Sequence, residues 1–154
     1  MGKIDQRIAE LGLELPVPAK PVANYVPWVR TGNLVFVSGQ GAIKDGKIIL
    51  QGRLGEDVSI EDGIKSARQC ALNVIAHLRE ACGGDLDRVV RVVKLLGFVN
   101  ATATFPDHPK VINGASDTMV EVFGDKGRHA RSAVGAPSLP FNLSVEVEAI
   151  FEIA

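Results

Sequence analysis

The chain has 154 residues, a length that suits one domain built around one core. Its formal net charge of −1 at pH 7 supplies no basic field, which argues against a nucleic-acid binder that works by neutralising phosphates. No apolar run approaches the ~20 residues of a membrane span, and "MGKIDQRIAELGLEL" has neither a signal-peptide core nor the Ser or Thr at position six of a myristoylation site, so the reading is of a soluble cytoplasmic protein.

Residues 3 to 12 read as a short amphipathic helix, with Ile4, Ile8 and Leu11 on one face and Gly12 at its end. The piece "LPVPAKPVANY" then runs extended, because Pro16, Pro18 and Pro21 forbid a helix. Residues 1–20 therefore form an N-terminal extension of helix and extended chain. "YVPWVRTGNLVFVSGQ" reads as two strands around a turn at Thr31-Gly32-Asn33, and the unbroken apolar run "LVFV" suggests a strand covered on both faces. Asp45-Gly46 in "IKDGKI" marks a hairpin with a type I′ turn.

The clearest helix runs from about Ser59 to Cys82. Ser59 and Asp62 suit a capping box, and Ile64, Ala67, Ala71, Val74, Ile75, Leu78 and Cys82 form one apolar stripe that Gly83-Gly84 ends. "VVRVVKLLGFVNA" follows as a long, mostly buried strand. A second helix starts near His108-Pro109, turns Ile112, Ala115, Met119, Val122 and Phe123 inward, and closes at Gly124. "ARSAVGA" and "LSVEVEAIFEIA" are the final strands. Two long helices for about six strands can cover only one face of a mixed sheet, and self-association is the economical way to bury the other.

Cys70 and Cys82 lie twelve residues apart in one helix. At ~1.5 Å per residue that is ~18 Å, too far for a mutual disulfide. Neither is flanked by a metal-binding cluster, so both read as reduced, packed thiols. "GQGAIKDG" follows a strand but precedes no helix and lacks Lys-Ser or Lys-Thr, which argues against a phosphate loop or a dinucleotide fingerprint. No Gly-x-Ser-x-Gly occurs. Among the three histidines, His129 draws notice because it sits beside Arg131.

In the last strand Val145, Val147, Ala149, Phe151 and Ile153 point one way, while Glu146, Glu148, Ile150 and Glu152 point the other. The glutamates are either a solvated or salt-bridged set or include a functional carboxylate. Arg131 is open in the same way. It is an internal partner of Glu146 or Glu148, or its planar fork grips the carboxylate of a ligand.

The string "RSAVG…LP…VEVEAI" over 131–150, with "NLVFVSGQ" at 33–40 and Tyr25 ahead of the first strand, resembles the Rid family of reactive-intermediate deaminases. These are also called YjgF-like, with the older names endoribonuclease L-PSP and translation inhibitor. The resemblance spans roughly residues 20–154 of a single domain. It implies an α+β, chorismate-mutase-like fold in which three subunits pack their sheets into a central barrel, with clefts between subunits. It implies hydrolysis of 2-imino acids and their enamine tautomers to 2-oxo acids and ammonia, with no metal or organic cofactor. By the same resemblance Arg131 binds the substrate carboxylate and Glu146 positions or activates water. Tyr25 helps close the pocket, Ser38 and Gly39 lie beside it, and Asn113 matches an asparagine early in the second helix. The chain departs from the family pattern as a distinct subgroup would: Ala133 stands where the best-known branch has a cysteine two residues after the arginine, a Gly follows Val134, and the N-terminal helix and the longer "FVNATATFPDHPKVINGASD" segment differ from the shortest members. The competing readings are an endoribonuclease, which the charge disfavours, and a non-catalytic trimer that binds a small carboxylate or holds client proteins.

Overall fold

The computed structural model describes residues 1–154. In chain order the elements are α1 (Lys3–Glu10), β1 (Trp28–Thr31), β2 (Leu34–Gly41), β3 (Ile43–Lys44), β4 (Lys47–Ile48), α2 (Ile60–Ala81), β5 (Val89–Asn100), α3 (His108–Phe123), β6 (Ala130–Ala136) and β7 (Val145–Ile153). Five strands form one sheet in the order β1-β2-β7-β5-β6, and β3 with β4 make a separate two-stranded hairpin. The expectation of about six strands in one sheet is thus corrected to five. The hairpin keeps its own short rungs because Asp45 and Gly46 both take positive φ, as a type I′ turn needs. Only β5 and β6 pair in parallel, and α3 is the crossover between them.

The helices form where the sequence favours them. Ser59 caps α2, its hydroxyl accepting the Asp62 backbone N–H at 3.1 Å. Pro109 enters the first turn of α3 and Gly124 ends it. Both helices lie on one sheet face. Beneath them β7 alternates as expected, with Val145, Val147, Ala149, Phe151 and Ile153 all buried. Val35, Val37, Val92, Leu95 and Val99 complete that floor. Asn73 of α2, itself buried, donates to the carbonyls of Gly41 and Ile43 at 2.9 Å each and fastens the end of β2 to the helix.

The other face has no such cover. "LVFV" is not enclosed on both sides: Val35 and Val37 are buried, but Leu34 and Phe36 alternate outward, and Phe36 is 41% exposed. The start of β5 is likewise wetter than "mostly buried" implies, since Val90 and Arg91 are exposed at a register shift. A pocket of about 520 Å³ opens on this bare face between Trp28, Phe36, Leu96 and Ile150, with Lys94 and Glu148 also lining it.

Candidate active site

Arg131 opens the edge strand β6 opposite Leu95 of β5. Leu95 is fully buried under the helices, so Arg131 is on the helix side of the sheet. There its Nη1 donates to Asn113 Oδ1 at 2.8 Å and to Ser116 Oγ at 3.2 Å, both on α3. Those bonds use both Nη1 hydrogens and leave the edge formed by Nε and Nη2 unused. No carboxylate of the chain lies within ion-pair distance of the guanidinium. The internal ion pair with Glu146 or Glu148 therefore does not form. Its physical obstacle is the sheet itself, because Glu146 alternates with buried Val145 and Val147 and so faces the opposite side.

The separation is also too large. Glu146 pairs with Phe98, three residues along β5 from Leu95, and β5 lies between β6 and β7. Two strand spacings of ~4.8 Å and three rises of ~3.3 Å put the two Cα atoms roughly 14 Å apart. Within one chain, the residues fall into two half-sites.

The first half-site is Arg131, Asn113, Ser116 and His129. His129 Nε2 is 2.9 Å from Ser116 Oγ, and its Nδ1 is 2.6 Å from the Gly127 carbonyl. Partial burial holds the imidazole pKa below its usual value, and the nearby Arg131 cation adds to that against the upward pull of the Gly127 bond. The second half-site is Glu146 with Ser38 and Gly39. A register shift between Val37 and Gln40 places Ser38 and Gly39 in an irregularity of β2 beside β7. A Cβ on Gly39 would come within 2.8 Å of the Glu146 carboxyl carbon, so glycine there makes room for the carboxylate. Burial raises the Glu146 pKa, and the charge of Glu148 raises it further. Tyr25 is 57% exposed ahead of β1. Its segment is tied to this half-site by the Ser38 N–H, which donates to the Pro27 carbonyl at 2.9 Å.

Asn113 thus meets Arg131, and Gly39 meets Glu146, while Tyr25 and the second half-site do not reach Arg131. Ser116 was not legible as a site residue. The available signal was its spacing from Asn113, since residues i and i+3 share a helix face. Both cysteines are free and buried, and burial raises both thiol pKa values, which disfavours the thiolate form. No helix is long and apolar enough to cross a membrane.

The family model described as "YjgF/chorismate_mutase-like, putative endoribonuclease" matches residues 5–153. The chain belongs to this YjgF-like family. Protein TCP17 of Trypanosoma cruzi is 44% identical over 153 residues, covering 99% of this chain and 95% of that protein. A 2-iminobutanoate/2-iminopropanoate deaminase of Dermatophagoides farinae is 30% identical over 141 residues, covering 92% of this chain and 94% of the mite protein. The crystal structure of Atu1372 from Agrobacterium tumefaciens superposes with a TM-score of 0.92 at 48% identity, covering 98% and 92% of the two chains. The YjgF-like fold accounts for the α+β architecture, with two long helices on one sheet face and the other face open.

Proposed function

We propose that this YjgF-like protein hydrolyses 2-imino acids to 2-oxo acids and ammonia in clefts between the subunits of a homotrimer. The observation that carries the reading is the guanidinium of Arg131. It is anchored through Nη1 while its Nε–Nη2 edge, the shape of a carboxylate, has no partner in the chain. The deaminase activity of a relative at 30% identity supports the same chemistry.

Assembly explains how two distant half-sites become one. The bare face carries Phe36 at 41% and Val29 at 52% exposure, and burying the remaining half of each such side chain is worth about 1 kcal/mol. Packing that face against the β6 edge of a neighbour brings Arg131 and Asn113 of one subunit to Glu146, Ser38, Gly39 and Tyr25 of the next. In this cleft Arg131 holds the substrate carboxylate and so fixes the adjacent imine carbon. A protonated imine is already electrophilic. Glu146 takes a proton from the attacking water as the C–O bond forms and the C=N π pair moves to nitrogen. It then passes that proton to the amine nitrogen, and it takes the hydroxyl proton as the C–N bond breaks, releasing ammonia and the 2-oxo acid. A carboxylate whose pKa is raised by burial suits both halves of that transfer. Tyr25 closes the pocket, and Gly39 keeps the carboxylate free to move. Ala133, in place of the cysteine, removes no group the mechanism needs.

The test is to generate 2-iminobutyrate or 2-iminopropionate in situ and follow oxo-acid release. The protein should accelerate release well above the spontaneous rate, and an Arg131→Ala variant should not. Equal rates with and without the protein would leave a carboxylate-binding trimer as the function.

A further inference from the structure

We propose that Ser116 and His129 are positioning residues that fix Arg131 through a one-way chain of hydrogen bonds and so set its affinity for a carboxylate. The proposal rests on reading Arg131 as the carboxylate grip. Its argument starts from the guanidinium, which can only donate. Ser116 Oγ must therefore accept from Nη1 at 3.2 Å. The Ser116 hydroxyl hydrogen then needs an acceptor of its own, and His129 Nε2 lies 2.9 Å away. That nitrogen accepts only if the ring hydrogen is on Nδ1. The Gly127 carbonyl, 2.6 Å from Nδ1, enforces this, because a carbonyl cannot donate. Each link thus dictates the next, from Arg131 to Ser116 to His129 to Gly127.

The far end of the chain is rigid. Gly127 packs so closely on the Met119 carbonyl of α3 that a Cβ would collide with it. The near end needs support. Arg131 sits on an edge strand, is only half-buried, and has no ion-pair partner in the chain. A long side chain in that setting samples many rotamers. Tying Nη1 at two points orders it before a ligand arrives and points the Nε–Nη2 edge away from α3. The half-buried ring and the adjacent cation both favour the neutral imidazole that the chain requires. Asn113, one turn from Ser116 on α3, supplies the second tie at 2.8 Å.

The experiment uses 2-oxobutyrate as the carboxylate probe, calorimetry for affinity, and nitrogen-15 imidazole spectra for the tautomer. In wild-type protein His129 should be neutral with its hydrogen on Nδ1. Ser116→Ala should weaken 2-oxobutyrate binding by about 10-fold and raise KM for imine by a similar factor, with kcat within about 3-fold, the signature of lost ground-state binding. Ser116→Thr keeps the hydroxyl and should restore affinity to within about 3-fold. His129→Phe should fall between, since Ser116 remains but its hydrogen is no longer directed. Unchanged affinity in Ser116→Ala, or a hydrogen on Nε2 of wild-type His129, would overturn the proposal. A protein that binds 2-oxobutyrate without hydrolysing imine would end the deaminase reading and leave this series of affinities to stand. A wild-type protein that binds no 2-oxo acid would overturn both.

Discussion

The two half-sites differ in how their charges are held. At the α3–β6 edge, Arg131 sits in a network in which Asn113, Ser116, His129 and the Gly127 carbonyl all have assigned hydrogen-bond roles. On the β2–β7 face, Glu146 stands half-buried beside Gly39, with burial and Glu148 raising its pKa. One charge is ordered before any ligand arrives. The other is left with its charged form disfavoured, on a face that the chain alone does not cover. A group that must bind an ion gains from being fixed, and a group that must exchange a proton gains from a pKa moved toward neutrality. The division of polar order between the regions thus parallels the division of labour proposed for them.

Breaking the ordered half should have the largest effect. Arg131→Ala should lower kcat/KM for imine hydrolysis by at least ~100-fold, and Arg131→Lys by roughly 10- to 100-fold, because lysine keeps the charge but loses the fork. Thermal melting should show the fold retained in both. A stopped assembly in Arg131→Ala would instead mark the arginine as a structural contact.

Glu146→Gln should slow hydrolysis by ~100-fold if general-base catalysis is its main role, while 2-oxobutyrate binding persists. Glu148→Gln, on the same face, is the control and should lose much less. Equal losses would assign the effect to the field of the face. The acid limb of the wild-type pH–rate profile should follow Glu146 and lie above the ordinary glutamate value of 4.5. The stability sign is opposite. A carboxylate with a raised pKa binds more protons folded than unfolded, so its contribution falls as pH rises through that window. Glu146→Gln should therefore gain stability relative to wild type as pH rises from below 4.5 to above the raised value.

Gly39→Ala sharpens the comparison from the other side. The new methyl group would press on the Glu146 carboxyl, and activity should fall by about 10-fold with Arg131-dependent binding intact. The smallest expected effect belongs to His129. Its lowered pKa means that the unfolded chain binds the proton more readily, so stability should decline as pH falls below the ordinary imidazole value of 6.5 and through the lower folded value. Chemical denaturation of His129→Phe at the same pH values should lack that slope.

Much of this was legible in the sequence for identifiable reasons. The α2 stripe and its Ser59 cap follow a 3.6-residue period, and the β7 alternation is strict enough to assign each side chain a face. Sequence spacing could not supply the partners of Arg131, because its acceptors lie 18 and 15 residues away on α3 and meet it only through the β5–α3–β6 crossover. The same limit hid Ser116. The apolar run of β2 misled in a different way: an apolar outer row is found both on a strand enclosed by helices and on a sheet face left open, so composition could not tell an enclosed strand from one with a bare side. The strand count failed because the β3–β4 rungs pair only with each other.

The central claim is that Arg131 of one subunit works with Glu146 of another, and complementation tests it most directly. Arg131→Ala and Glu146→Gln proteins, each nearly inactive alone, are mixed in equal amounts under conditions of subunit exchange verified by native mass spectrometry. In randomly mixed cyclic trimers about one quarter of the clefts would join a wild-type arginine to a wild-type glutamate, so about one quarter of wild-type imine hydrolysis should return. Exchange without any recovery of activity would contradict the account.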